Sequence, residues 1–122
     1  MERKEMSIIT KAEAIKQLLD LNIKYVQALS KAQQSDLALT SSKQALADAK
    51  EQIIISVDPK ELGSNAEIRE ASLNMRLKDK VQELRELETV HSLNQLEVNI
   101  SKSTVNVFHR IVDALSSASE IE

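Results

Sequence analysis

The chain of 122 residues has no cysteine and no tryptophan, and only one glycine, one proline, one tyrosine and one phenylalanine. Without cysteine there is no disulfide, thiol nucleophile or thiolate metal site. A single glycine cannot build a phosphate-cradling loop or a dinucleotide fingerprint. With Tyr25 and Phe108 as the only aromatics, the core must be aliphatic, and no platform for stacked bases is available. No apolar run approaches the ~18–20 residues that span a bilayer. The opening stretch MERKEMSIITKAEAIK lacks the apolar segment of a signal peptide. A cytoplasmic chain without a membrane partner is the expectation. The net charge of −3 gives no general attraction to nucleic acid. The balance is mildly uneven: residues 1–63 carry nine basic and nine acidic side chains, residues 64–122 seven and ten.

What is present is Ala, Glu, Lys, Leu, Gln and Ser, the composition of long helices and coiled coils. Apolar residues recur at Ile8, Ala12, Ile15, Leu18, Leu19, Tyr25, Val26, Leu29 and Ala32, then at Leu39, Leu46 and Ile53. These spacings of three, four and seven are helical. A helix over about 8–56, roughly 70 Å long, is expected. A second helix is expected over about 65–116, with a seam through Leu73, Leu77, Val81, Leu84 and Leu87 and on through Val98, Val105, Phe108, Val112 and Leu115.

Both backbone breakers sit between these helices, in VDPKELGSN over 57–65. Asp58 suits an N-cap, Pro59 the first helical position, and Gly63 a stop at positive φ. Either Ser64 or Asn65 then caps the second helix, and Ser64 with Glu67 reads as a capping box. The hinge over about 57–64 therefore stops, turns and restarts the chain. Two helices of similar length with a short connection should fold back antiparallel, each covering the other's stripe. The fold class is all-α: one domain, 1–122, forming a long coiled-coil-like hairpin. A hinge centred near residue 60 makes facing residue numbers sum to about 121, placing Ile15 near Asn106 and Leu29 near Ser92.

From 93 to 115 the second helix carries two apolar stripes. One is Leu93, Leu96, Ile100, Val107 and Ile111; the other continues the seam. A two-stranded pair uses one seam, so the second stripe implies another neighbour. The expected outcome is a homo-oligomer, with a dimer favoured, in which two hairpins make a four-helix arrangement. Leu96, Ile100, Val107, Phe108 and Ile111 are the candidate self-association residues. Asp58, Pro59, Gly63, Asn65 and Arg69 are the candidate hinge residues.

Chemistry finds little support. His91 and His109 share a helix face but stand ~27 Å apart along the axis. Glu88 and His91 give one Glu-x-x-His motif where di-iron bundles need two. His91 is better read as a polar residue at the seam that fixes register. His109 and Asp113 have the spacing of a surface pair. No catalytic residue, cofactor or metal is expected. Lys43, Lys50, Lys60, Arg69, Arg76, Lys78 and Lys80 flank the turn, interleaved with acids such as Asp48, Glu51, Glu67 and Glu70. Nucleic-acid contact through a subset of them is the less favoured alternative.

The segment GSNAEIREASLNMRL, with Gly63, Asn65, Glu67, Arg69, Ala71 and Leu73, resembles a motif in small helical proteins encoded by bacteriophages and prophages. In that group Gly-x-Asn and a following Arg stand between two long helices. VFHRIVDAL at 107–115 resembles the group's aromatic–basic–apolar ending, while Ile68 stands where the pattern has a charged residue. The resemblance covers roughly half the chain. The group has no settled activity, and the resemblance implies an accessory role near phage replication or recombination. Arg69 is the motif residue that capping leaves unexplained; binding back to hinge carbonyls or to Asp58 would hold the bend. The favoured reading is a non-enzymatic interaction or scaffold protein that self-associates and binds an unidentified protein partner. The alternatives are a nucleic-acid-associated accessory protein and an inhibitor of a host enzyme.

Overall fold

A computed structural model describes the backbone of residues 9–121 and the side chains of residues 9–118. The described residues hold four helices and no strand. They are α1 (Lys11–Ser56), α2 (Pro59–Leu62), α3 (Ala66–Arg76) and α4 (Lys78–Ile121). The two long helices, α1 and α4, pack against each other as an all-α hairpin. Ile8 of the expected first helix lies outside the described residues.

The start of α1 is set by a capping box. The Glu13 N–H donates to Thr10 Oγ1 at 3.1 Å, and the Thr10 N–H donates to Glu13 Oε2 at 3.4 Å. Two orphan donors of the first turn are thus satisfied reciprocally. Nothing then interrupts α1 for 46 residues.

The returning arm is less regular than expected: Leu77 separates α3 from α4. Its φ of −108° and ψ of 20° fall in the bridge region. Two backbone bonds flank the break: the Leu77 N–H donates to Leu73 O at 3.0 Å and the Val81 N–H to Leu77 O at 2.9 Å. Both Leu73 and Leu77 are buried.

Two compact units divide the chain. The first contains residues up to 32 together with those from 94 onward. Its seam is narrow and aliphatic: Ala14, Leu18, Ala28 and Ala32 of α1, and Val98 and Val105 of α4, are buried. Ala28, Ala32 and Val98 cluster under Tyr25. In this unit the residues turned inward on α1 recur at 14, 18, 21, 25, 28 and 32, and on α4 at 94, 98, 101, 105, 108, 112 and 115. That is an unbroken alternation of three and four, the coiled-coil repeat. Small alanines let the helices approach closely, and the aliphatic partners fill the space between them.

The second unit, residues 33–93, contains the turn. Leu39 of α1, Leu62 of α2 and Leu73 of α3 are buried here. Lys50 Nζ meets Glu70 Oε1 at 3.1 Å, and Ser35 meets His91. Residues 35–50 of α1 thus lie opposite residues 70–91, so the returning arm uses more residues than the outgoing one over the same stretch. The expected register is corrected accordingly. Lys31, which it placed opposite Val90, pairs with Glu97 at 3.4 Å and receives the Asn94 side-chain amide on its carbonyl at 3.4 Å. The hinge midpoint was a poor predictor because the two arms do not advance residue for residue, as the Lys50–Glu70 and Ser35–His91 contacts show.

Candidate functional site

Three places gather the residues singled out above. The first is the turn. Asp58 caps α2, its Oδ1 accepting from the Lys60 N–H at 3.0 Å, with Pro59 opening the helix. The Gly63 N–H closes that turn on Pro59 O at 3.3 Å. Gly63 itself has φ 148° and ψ 169°, an extended left-handed conformation that only glycine adopts at low cost. Space agrees with conformation: a Cβ at this position would collide with the side chain of Ile68 and crowd the Arg69 amide at 3.2 Å. Ile68, the residue that departs from the phage-type motif, is thus the one that closes over the glycine.

Between the two alternatives for the next cap, Asn65 takes the role. Its Oδ1 accepts from the Ile68 N–H at 2.9 Å. This corrects the Ser64–Glu67 capping box: with Asn65 as cap, Glu67 occupies the second helical position, too early to reach back. Arg69 is also corrected. Its amide donates to Asn65 O at 3.0 Å, but among the described residues its guanidinium has no ion-pair partner, and Asp58 is engaged with Lys60. The half-buried Arg69 side chain instead lines a shallow cleft with Pro59, Lys60, Gly63 and Ser64.

The second place is a polar layer in the seam of the 33–93 unit. Ser35 Oγ and His91 Nδ1 lie 2.7 Å apart, and His91 Nε2 is 3.9 Å from Asp36 Oδ1. Serine, histidine and aspartate in this order are the parts of a nucleophilic relay. The surroundings do not suit one. Ser35 is only 8% exposed, and it sits in the interior of α1, where the backbone N–H groups are committed to the helix and none is free for an oxyanion. The Asp36 contact is too long for a hydrogen bond. The layer is better suited to fixing alignment, because a polar pair inside an apolar seam penalises every register that separates its members. Glu88, three residues before His91, brings no third ligand, and no three His, Asp or Glu side chains converge among the described residues. His109 and Asp113 are both exposed, and no ion pair joins them.

The third place is the outer surface of the first unit. On α4, Leu96, Ile100 and Val107 are 53%, 58% and 52% exposed. Ile111 is half-buried at the edge of the same stripe. Phe108 departs from the group. It stands on the seam, half-buried, and lines a groove with Gln17, Leu21 and Lys24 of α1. On α1 the neighbours of the seam residues form a second exposed stripe of Ile15, Leu19, Ile23, Val26 and Leu29. Sequence periodicity separated the two stripes of α4, and the buried Val98 and Val105 stand on the one it gave to the seam. The missed residue is Ser35, since a serine at a seam position carries no hydrophobic signal.

No helix among the described residues is long and apolar enough to cross a membrane. No family model, curated protein or solved structure matches the chain.

Proposed function

We propose that this chain is a non-enzymatic helical interaction protein that self-associates and presents helix surface to a protein partner. The observation that carries the reading is the pair of uncharged apolar stripes left exposed on α1 and α4 in the first unit. Scattered surface aliphatics are ordinary, whereas continuous stripes on two packed helices are the usual mark of a contact surface. Helix-on-helix packing in the manner of an amphipathic segment laid in a groove is the chemistry available. A cytoplasmic setting is part of the proposal, as is a phage or prophage origin, which the resemblance carried by Gly63, Asn65 and Arg69 supports.

The test is sedimentation of the purified chain across a wide concentration range, combined with capture from lysate before and after nuclease treatment. A mass above the monomer and a stoichiometric protein that survives nuclease would support the reading. A monomer at every concentration, with nothing retained, would end it.

A second reading follows from the turn, where the side chains of Lys60 and Arg69 line one cleft. Phosphate contact there would make the chain a nucleic-acid-associated accessory protein. That reading requires affinity that falls steeply with salt, and binding that is absent or insensitive to salt removes it.

A further inference from the structure

The returning arm of the 33–93 unit carries a groove that neither the turn nor the polar layer uses. It spans the break between α3 and α4 and holds about 440 Å³, room for side chains where one water takes only about 30 Å³. Ala71, Met75 and Val81 supply its apolar part, and Lys78 and Arg85 stand along it. Met75 is 74% exposed, more than any other large apolar side chain among the described residues. A methionine adapts its shape to what enters. The stems of Lys78 and Arg85 extend the apolar wall while their charges stay in water.

The charge along this groove has one sign. No carboxylate lines it, and neither cation has an ion-pair partner among the described residues. The neighbouring acids are engaged or placed elsewhere. Glu70 holds Lys50 at 3.1 Å, and Glu86 accepts from the Gln82 side-chain amide at 3.3 Å. Glu83 lines a different groove with Lys80. Asp79 falls about 100° around the helix from Lys78, and Glu88, beyond Arg85, makes no ion pair with it. The site therefore suits an occupant with negative charges and an apolar residue between them. A nucleic-acid backbone would leave the apolar part uncovered, and no aromatic lines the groove to stack a base.

The spacing of the cations selects the occupant's form. Lys78 and Arg85 are seven residues apart on α4, so they stand about 10.5 Å apart on one face. A helix laid along the groove has the same repeat: carboxylates seven residues apart meet both cations, and the residues midway between them lie against Val81. An apolar residue one turn further out covers Met75. An extended strand puts residues of one face about 6.8 or 13.6 Å apart and so meets only one cation at a time. This chain has four pairs of acids seven residues apart, and only Glu51 and Asp58 enclose apolar residues, Ile54 and Ile55. Asp58 lies past the end of α1 and caps α2, so a second copy does not present the pattern on one helix.

We infer that this groove binds a helix of a partner protein that carries carboxylates at seven-residue spacing with an aliphatic residue between them. The inference rests on the reading that the chain presents helix surface to a protein partner, and it gives that partner a site and a chemistry. The apolar contact supplies the affinity, and the two charge pairs fix orientation and reject basic helices.

The probe is a fluorescent alanine-based helical peptide with glutamates at seven-residue spacing, leucines midway between them and one leucine a turn outside. Its binding to the full chain is read by anisotropy, with circular dichroism as the check on folding. A companion peptide carries lysine at both glutamate positions. The wild-type chain should bind the glutamate peptide and reject the lysine peptide. Lys78→Glu with Arg85→Glu should weaken the glutamate peptide about tenfold or more and accept the lysine peptide instead, because like charges then meet where opposite ones did. Met75→Asp should weaken the glutamate peptide by a similar factor, and Lys80→Glu, at the other groove, should leave it unchanged. No binding of the glutamate peptide to about 1 mM, or no exchange of preference in the double variant, overturns the inference. A single-stranded oligothymidylate that displaces the peptide and is lost in the double variant assigns the groove to nucleic acid and overturns it too. So does a wild-type oligomer that the double variant dissolves, which assigns the groove to a second copy. If the double variant still retains a protein that the wild-type chain captures from lysate, the protein-partner reading stands and this groove falls.

Discussion

The two units are built from the same pair of long helices but are specified in different ways. In the first, residues 11–32 and 94–118, the seam is a three-and-four repeat in which Ala14, Leu18, Ala28 and Ala32 of α1 and Val98 and Val105 of α4 are buried. In the second, residues 33–93, structure hangs on individuals: Gly63 at positive φ, the caps Asp58 and Asn65, the bridge conformation of Leu77, and the Ser35–His91 layer. A repeat makes helices and gives them a sticky side, but it is nearly indifferent to sliding by one heptad. The singular residues are what make one alignment better than its neighbours.

The largest effect is expected from a charge placed in the repeat itself. Val105→Asp buries a carboxylate in an aliphatic seam and should cost roughly 3–4 kcal/mol. Hydrogen exchange should then show the amides of the first unit opening before those around the turn. Uniform loss of protection would mean that the two units unfold as one. Next comes the turn. Gly63→Val adds both backbone strain and the collision with Ile68, for a loss of about 2–3 kcal/mol by urea denaturation. Combining it with Ile68→Ala should return part of that loss, and no recovery would assign the whole cost to the backbone.

In the polar layer, Ser35→Ala strips His91 Nδ1 of its partner and should lower stability by about 1–2 kcal/mol. His91→Leu with Ser35→Ala should equal or exceed wild-type stability while admitting a second register. Doubled amide resonances would reveal that register, and a single sharp set would show that the layer does not enforce alignment. Asn65→Ala removes the cap of α3 at a cost of about 1 kcal/mol, measurable by thermal melting. The smallest change belongs to the exposed flank of the first unit. Lys31→Ala should alter stability by less than about 0.5 kcal/mol, because an ion pair open to water on both sides contributes little.

The helices themselves were legible because helical periodicity needs only neighbours along the chain, and a stripe at three- and four-residue spacing can form in no other element. The turn was legible for the same reason: proline, glycine and capping side chains act within a few residues. Thr10 and Glu13 spell the start of α1 in the same local way, two residues inside the point where the apolar pattern alone would begin it. Less legible was everything that depends on the other arm. Ser64 and Asn65 are both competent caps, and the choice depends on how the chain leaves Gly63. Phe108 belongs to an apolar pattern that fits either the seam or the outer stripe, and packing against Gln17 and Leu21 places it at the seam.

The sequence by itself determined that this chain is two long helices joined at one punctuated turn, because those are consequences of local backbone energetics. Only the tertiary structure decided the register, the break at Leu77, the Ser35–His91 contact and the place of Phe108 at the seam. Each of these depends on residues far apart in the chain meeting at one level along the hairpin. A level is a sum over every irregularity between them, so one uneven step on a single arm changes which residues face each other.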